Sequence, residues 1–341
     1  MRNPLRRQDP LDISPWAKLA AYVALIAWAI VCIFPLYWIL VTSVKIPLDV
    51  ERGPFYIPFV DFQPTLQHWE TMLFDPTGDV FLPMWNTVLV ALVSTSAALL
   101  LGGSAAYALV RFTYRPAIGM VLLFIGTIAY VFIATAFGVP WPLSITSGVA
   151  IFLILAGAVS RRFKRALGNA DIAFWLISQR MLPPVAVIVP IYVFYQNVGL
   201  LNTHAGLVVT YIAVNLPIVI WLLRDYFATI PIELEESAAV DGASPYRIFR
   251  SIVLPVSLPG LVATFLFVLV FAWNEYLLAV FLTGADTRTM PLLVVAQDAT
   301  RGPQWWFMSV IVLMMIGPVI IMAILLERYI SRGILVGAVK G

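Results

Sequence analysis

The sequence predicts an all-α, polytopic membrane protein with about eight transmembrane helices. Three observations predict it. Apolar residues fill 61% of the 341 positions and charged residues only 11%. The mean hydropathy is +0.93. Uncharged stretches long enough to cross a bilayer recur along the chain. A soluble domain carries roughly 25% charged residues; a chain this poor in charge cannot cover its surface in water, but it can face lipid. The lone cysteine, Cys32, excludes an intrachain disulfide and a cysteine-based metal cage. His68 and His204 are far apart and lack ligand-like spacing, so no metal site is expected. Nothing in the pattern points to nucleic acid.

A crossing helix needs ~20 apolar residues. The N-terminus MRNPLRRQDP is basic, and the uncharged stretch Leu19–Val44 that follows leads into KIPLDVERGP without a small-residue cleavage site. It is read as a first transmembrane helix that doubles as an uncleaved insertion signal. Phe81–Val110, Ser251–Asn274 (continuing past Glu275 to Ala285) and Gly302–Leu326 supply further spans. Met181–Leu223 is too long for one crossing and divides at the polar turn around Gln196–His204.

Pro116–Ser160 is also too long, with a break at Gly138-Val139-Pro140-Trp141-Pro142. Basic residues accumulate in short cytoplasmic loops. Arg111 and Arg115 precede this stretch, and Arg161, Arg162, Lys164 and Arg165 follow it. Both clusters lie on one side only if the stretch crosses twice, as a helical hairpin. The expected helices are therefore 19–43, 84–110, 117–138, 143–160, 172–195, 206–224, 257–283 and 305–326, with both termini cytoplasmic. This threading leaves Lys45, Arg52, Arg288 and Arg301 outside and Arg180 within a span, and puts the other Lys and Arg residues in the cytoplasm. No segment is long enough for a soluble catalytic domain, and the whole chain, 1–341, is read as one membrane domain.

One long cytoplasmic loop is expected, residues 224–260. Glu233, Glu235 and Glu236 after Pro231 favour the positive end of a helix dipole. Asp241-Gly242 suits a helix stop, Ser244 an N-cap and Pro245 the first helical position. The second helix then carries the apolar stripe Ile248, Phe249, Ile252, Val253 until Pro255 and Pro259 close it. Local chemistry leaves two readings open: a docking element for another protein, or a connector packed on its own bundle.

The pattern Glu236-Ser237-Ala238, three residues, Gly242, nine residues, Ile252-Val253-Leu254-Pro255 resembles the EAA loop of ABC-transporter permeases, the inner-membrane components of binding-protein-dependent transport systems. Asp241 and Ala243 extend the match, and Ser237 departs from the usual alanine. The tail ERYISRGILVGAVKG (327–341) and the segments around Met181-Leu182-Pro183-Pro184 and Trp273-Asn274-Glu275 resemble the maltose-type, carbohydrate-uptake branch. The extra hairpin at about 116–164 is a departure, since the usual subunit of this branch has six helices. The resemblance implies a bacterial inner-membrane location, a second permease, an ATPase dimer and an extracytoplasmic binding protein as partners, and the lipid bilayer as surroundings. It implies ATPase coupling through Glu235, Glu236, Ser237, Ala238, Asp241, Gly242, Ala243, Arg247, Ile252, Leu254 and Pro255. ATP and Mg would belong to the partner ATPases, and no cofactor to this chain. In agreement, none of the four lysines is followed by Ser or Thr, so the phosphate loop G-x-x-x-x-G-K-[ST] does not occur.

Polar residues inside the spans are candidates for the solute path. Arg180 with Gln179 reads as a pathway or gate residue, or as a structural ion pair or snorkelling side chain, since a mid-bilayer charge costs at least ~2.5–3.5 kcal/mol. Pro183-Pro184 would break the helix and free carbonyls toward a cavity. Trp273, Asn274 and Glu275 offer an aromatic face and hydrogen bonds suited to a sugar, or only helix packing; Asn215, before Pro217, is a further candidate. An ion-coupled secondary transporter is the alternative class, with Glu275 as its one intramembrane acid. An intramembrane enzyme would need a nucleophile–base pair or metal cluster in the spans, and the sequence offers neither.

Overall fold

In the computed structural model, residues 15–74, 80–162, 166–181, 183–298 and 302–338 are described. The basic residues Arg2, Arg6, Arg7, Lys164, Arg165, Arg301 and Lys340, and Leu182 of the Met181–Pro184 segment, lie outside them, as do the side chains of Arg161, Arg162 and most of the 327–341 tail. The described residues are helical with no named strand. In chain order the helices are α1 (Pro15–Ser43), α2 (Pro47–Arg52), α3 (Gln67–Phe74), α4 (Phe81–Arg111), α5 (Ile118–Ala136), α6 (Trp141–Arg162), α7 (Asn169–Ser178), α8 (Pro184–Val198), α9 (His204–Phe227), α10 (Glu233–Val240), α11 (Pro245–Ile248), α12 (Leu254–Val256), α13 (Leu258–Trp273), α14 (Leu277–Leu282), α15 (Met290–Ala296) and α16 (Trp305–Ala338). Six are long and apolar enough to cross a membrane, or up to eight spans if two bent pairs each count as one.

Two expected helices are broken. The fifth, expected over 172–195 with a break at Pro183-Pro184, is α7 and α8 separated by a 3-10 turn at Gln179–Met181 and bent by 88°. Pro183 and Pro184 lack N–H donors, so the ladder cannot pass through them. The seventh, expected over 257–283, stops at Trp273 and restarts at Leu277. There the Glu275 carboxylate accepts a bond from the Leu278 N–H at 3.0 Å, capping α14.

Contacts group the chain into two compact units, 1–78 with 297–314, and 79–296 with 315–341. In the second, α4 and α9 pack closely. A Cβ on Gly102 would sit 2.5 Å from Val219 Cγ1, so this approach requires glycine. Around it, Ala98, Ala106, Tyr107, Val219, Leu223, Phe227 and Val268 form a buried cluster.

The first unit is organised by a buried lysine. Lys45 is 1% exposed; its ammonium donates to the Phe55 carbonyl and lies 4.7 Å from the Trp38 ring centre and 5.2 Å from that of Phe62. Burial holds its pKa below the ordinary lysine value despite Asp49 and Asp61. Asp61 accepts the Ile57 and Tyr56 N–H groups, each at 2.8 Å, which keeps its carboxyl below the usual range. His68 is buried edge-on to Phe307, with Nε2 2.9 Å from the Lys45 carbonyl. Burial lowers its pKa from 6.5.

A base whose folded pKa is depressed binds fewer protons folded than unfolded, so stability is kept above the unfolded value and declines as pH falls below it. Cleavage within 45–74 by a protease is therefore expected to accelerate below pH ~6.5. His68→Gln should flatten that dependence, and an unchanged pH profile in the variant would refute the assignment to His68.

Candidate functional site

The loop after α9 folds as its local chemistry dictates. α10 begins with Glu233, Glu235 and Glu236 in its first turn and ends at Asp241. Gly242 adopts φ +82°; the Ala243 N–H donates to the Ala238 carbonyl and the Gly242 N–H to that of Ala239, both at 3.0 Å. That pair of bonds is a Schellman stop, which favours glycine at the left-handed position. Ser244 Oγ then accepts from the Arg247 N–H at 3.4 Å and Pro245 opens α11.

The second helix ends at Val256, between Pro255 and Pro259 as expected, and α13 leaves it at a 75° bend. The chain widens into a π-helix over Phe249–Val253 and continues as α12. The Leu254 N–H bonds to the Phe249 carbonyl, five residues back, and the wider turn accommodates the proline that follows.

The loop is tied to the bundle from one side. Glu235, 8% exposed, accepts the Tyr107 hydroxyl and the Arg111 Nε, each at 2.7 Å. Arg111 also donates to the Ile230 carbonyl at 3.0 Å and that of Phe227 at 3.4 Å. It thereby fastens the end of α4 to the end of α9 and to α10. The Tyr107 ring lies 4.7 Å from that of Phe249, and Ile248 and Val253 are buried beside it. Among the expected coupling residues, Glu235 thus faces inward. Ala238, Ala243, Ile252 and Leu254 are half-buried, and Glu236, Ser237, Asp241, Gly242, Arg247 and Pro255 are exposed.

The outward side is also apolar. Val240 is 88% exposed, Tyr246 69% and Leu234 45%. The sequence reading missed the Tyr107–Arg111–Glu235 anchor. Its one local trace is the spacing of Tyr107 and Arg111, which puts two polar groups on one helix face; their partner is over a hundred residues away.

The solute-path candidates divide. Arg180 Nη1 donates to the Val214 carbonyl at 2.9 Å and to Asn215 Oδ1 at 3.2 Å. Its guanidinium carbon lies 4.8 Å from the Phe271 ring centre, where cation–π attraction adds to the bonds. Glu275 is close enough to act on it electrostatically, and the Glu275 carbonyl accepts the Tyr211 hydroxyl at 3.3 Å. Arg180, Asn215 and Glu275 therefore form one group on α7–α8, α9 and α13–α14. Trp273 is 2% exposed and donates to the Met315 carbonyl at 3.1 Å. Asn274 bonds back to the Val270 carbonyl at 2.8 Å. Gln179 is exposed.

At the opposite ends of α4 and α9 a second joint escaped the sequence reading. Asn86, fully buried, donates to the carbonyls of Asp286 and Arg288, both at 2.9 Å, and its Oδ1 lies 2.7 Å from His204 Nε2. Among the described residues no group of His, Cys, Asp and Glu is arranged to hold a metal ion.

Among the described residues, six to eight candidate spans and a folded hairpin pinned to the end of α4 make the architecture of a membrane-embedded subunit. The chain belongs to the family of binding-protein-dependent transport system inner membrane components, which it matches over residues 153–336. It is a multi-pass permease subunit of an ABC importer. It is 26% identical over 329 residues, 95% of this chain and 97% of the relative, to the trehalose/maltose transport system permease protein MalG of Thermococcus litoralis. It is 27% identical to the trehalose transport system permease protein SugB of Mycobacterium tuberculosis, over 95% of this chain and 99% of that one. It is 33% identical to the inner membrane ABC transporter permease protein YcjP of Escherichia coli, over 58% of this chain and 71% of the relative. Its fold resembles a chain of a bacterial ABC transporter for alginate import, with TM-score 0.57 and 20% identity, covering 93% of this chain and 99% of that one.

Proposed function

We propose that this permease forms half of a translocation path for a carbohydrate or polyol, performs no catalysis itself, and works with four kinds of partner. These are a second permease, a pair of ATPases that bind ATP and Mg, an extracytoplasmic binding protein, and the bilayer. The carbohydrate class is supported by the relatives named for trehalose, maltose and diacetylchitobiose transport. The coupling role rests on one observation above all. The α10–α11 hairpin is fixed on its inner face by Glu235 and Ile248, while Val240, Tyr246 and Leu234 stand unpartnered on the other. A rigid mount with an apolar exposed tip is what a docking element requires.

An ion-coupled carrier fits less well, because Glu275, its sole intramembrane acid, is engaged in capping Leu278 and lies near Arg180. Uptake of labelled disaccharide into vesicles holding the full assembly separates the two classes. It should continue after ionophores dissipate the ion gradients and stop when ATP is withheld; the opposite pattern defeats the proposal.

Arg180 is proposed to line the path with Asn215 and Glu275. Arg180→Ala should cut uptake about tenfold while the variant still assembles at the normal level. Lost assembly with unchanged solute preference would instead make it a structural anchor.

A further inference from the structure

The segment between α2 and α3 lies back against α1 instead of standing free of it. The Tyr56 ring is 5.4 Å from that of Trp38 and 6.4 Å from that of Phe34, and the Tyr37 hydroxyl donates to the Tyr56 carbonyl. Phe34, Tyr37 and Trp38 share one face of α1. That contact fixes the depth of the segment. A helix crosses the hydrocarbon in ~20 residues, so counting from Leu19, the first position after Lys18, puts the outer edge at about Trp38. Phe34 lies about 6 Å below it at 1.5 Å per residue. Tyr56 therefore stands at the acyl boundary and not above it.

Backbone that meets lipid must have its polar groups satisfied internally, and here they are. The Tyr56 and Ile57 N–H groups both donate to Asp61 Oδ2 at 2.8 Å. Phe55 donates to the Gly53 carbonyl and Phe59 to that of Phe62, each at 2.9 Å. The Val60 and Asp61 N–H groups reach the Ile57 carbonyl at 3.2 and 2.9 Å, and Pro58 has no N–H to satisfy. The Phe55 carbonyl accepts the Lys45 ammonium. The segment thus closes over that cation, which is 1% exposed, and keeps its charge from the acyl chains.

What the closed segment presents outward is apolar. Phe59 and Val60 are each 75% exposed and Ile57 55%. Phe59 holds φ +65°, a region that residues other than glycine rarely enter and keep only where their surroundings over-determine it. Asp61, exposed, sets the limit of insertion, because a carboxylate stays with the headgroups. We propose that residues 55–62 form a membrane-seated loop whose tip, Ile57, Phe59 and Val60, enters the outer leaflet at the acyl boundary while its body covers Lys45. An interfacial element of this kind buries its apolar face ~5–10 Å. The depth of Tyr56 and the internally bonded backbone favour a lipid surface over a protein as the partner.

The test uses the full assembly in vesicles of phosphatidylethanolamine and phosphatidylglycerol, with Cys32→Ser as background and a nitroxide attached at one position of this chain. With the label at Val60→Cys, collisions with oxygen, which partitions into acyl chains, should exceed those with a water-soluble nickel chelate about fivefold. The same order is expected at Ile57→Cys, and the reverse at Glu51→Cys, exposed on α2. Asp61→Ala strands the Tyr56 and Ile57 N–H groups; it should bring the Val60→Cys label to the nickel accessibility of the Glu51→Cys label, which itself stays unchanged. Nickel accessibility at position 60 equal to that at position 51 without Asp61→Ala would overturn the proposal, leaving a loop in water. An immobilised label reached by neither agent would overturn it in favour of a protein cover, the binding protein or the second permease. An unchanged oxygen preference in Asp61→Ala would overturn the role given to the closed backbone.

Discussion

Arg111→Ala is expected to release the ATPase subunits from the assembly and to abolish coupled transport, although Arg111 lies on the inner side of the hairpin. The substitution strands the Glu235 carboxylate, which keeps only the Tyr107 hydroxyl as partner. The ion pair is largely buried, with side-chain exposures of 12% and 9%, and breaking such a pair costs about 3–5 kcal/mol. It also removes the bonds to the Phe227 and Ile230 carbonyls that fix the end of α9. Glu235→Gln is the informative control: its one amide oxygen retains an acceptor for Tyr107, the charge and the second acceptor facing Arg111 are lost, and Arg111 keeps its bonds to the Phe227 and Ile230 carbonyls; a clearly smaller loss of co-purifying ATPase is expected. Joint replacement, Arg111→Met with Glu235→Leu, should recover much of the thermal stability, since an apolar pair of similar volume removes both charges together. Wild-type ATPase retention and thermal midpoint in Arg111→Ala would show that the clamp does not set the hairpin.

Gly242 gives the second large effect, by a different route. An added Cβ would meet nothing within 4 Å, so the cost is in the backbone alone. At φ +82° an L-residue pays about 1–2 kcal/mol. Gly242→Val, β-branched, should be the most damaging, Gly242→Ala intermediate, and Gly242→Asn the mildest because asparagine visits this region. The hairpin turns at this residue, so a changed stop redirects the exposed Val240 and Tyr246. ATPase activity should become independent of the binding protein in Gly242→Val, and transport should fall by an order of magnitude or more. Retention of coupling in that variant would mean the turn can be rebuilt without consequence. Glu236→Lys, exposed beside it, should weaken ATPase association with little effect on folding.

Much of this was legible because it is local. The Asp241-Gly242 stop, the Ser244 cap and the Pro245 start are each dictated by neighbours within four residues, and all three are present. Charge placement divided 116–164 into two helices, and α5 and α6 lie there. Pro183-Pro184 was seen as a break, but not the size of the bend it introduces. The end of the second helix between Pro255 and Pro259 was legible, but the π-turn over Phe249–Val253 that precedes it was not.

What sequence could not supply were pairings across long separations. Nothing near Glu235 distinguishes it from Glu236; only the approach of α4 turns one inward. Lys45, read as one of a few charges on the outer side, is enclosed by Trp38, Phe62 and the Phe55 carbonyl, a burial its neighbours in sequence do not announce. Trp273 illustrates the reverse. Its company of Asn274 and Glu275 suggested sugar contact, while its indole is spent on the Met315 carbonyl.

The Arg111 clamp and the Asn86–His204 joint lie at opposite ends of the same two helices, α4 and α9, which touch too closely at Gly102 to slide past one another freely. The pair is therefore expected to move as one stiff lever. From Arg111 to Asn86 it is about 37 Å long at 1.5 Å per residue, so a tilt of about 5° at the clamped end carries the far end about 3 Å. If the hairpin is the coupler proposed above, a push on it is expected to arrive, enlarged, on the strap of chain between Asp286 and Arg288 that Asn86 holds.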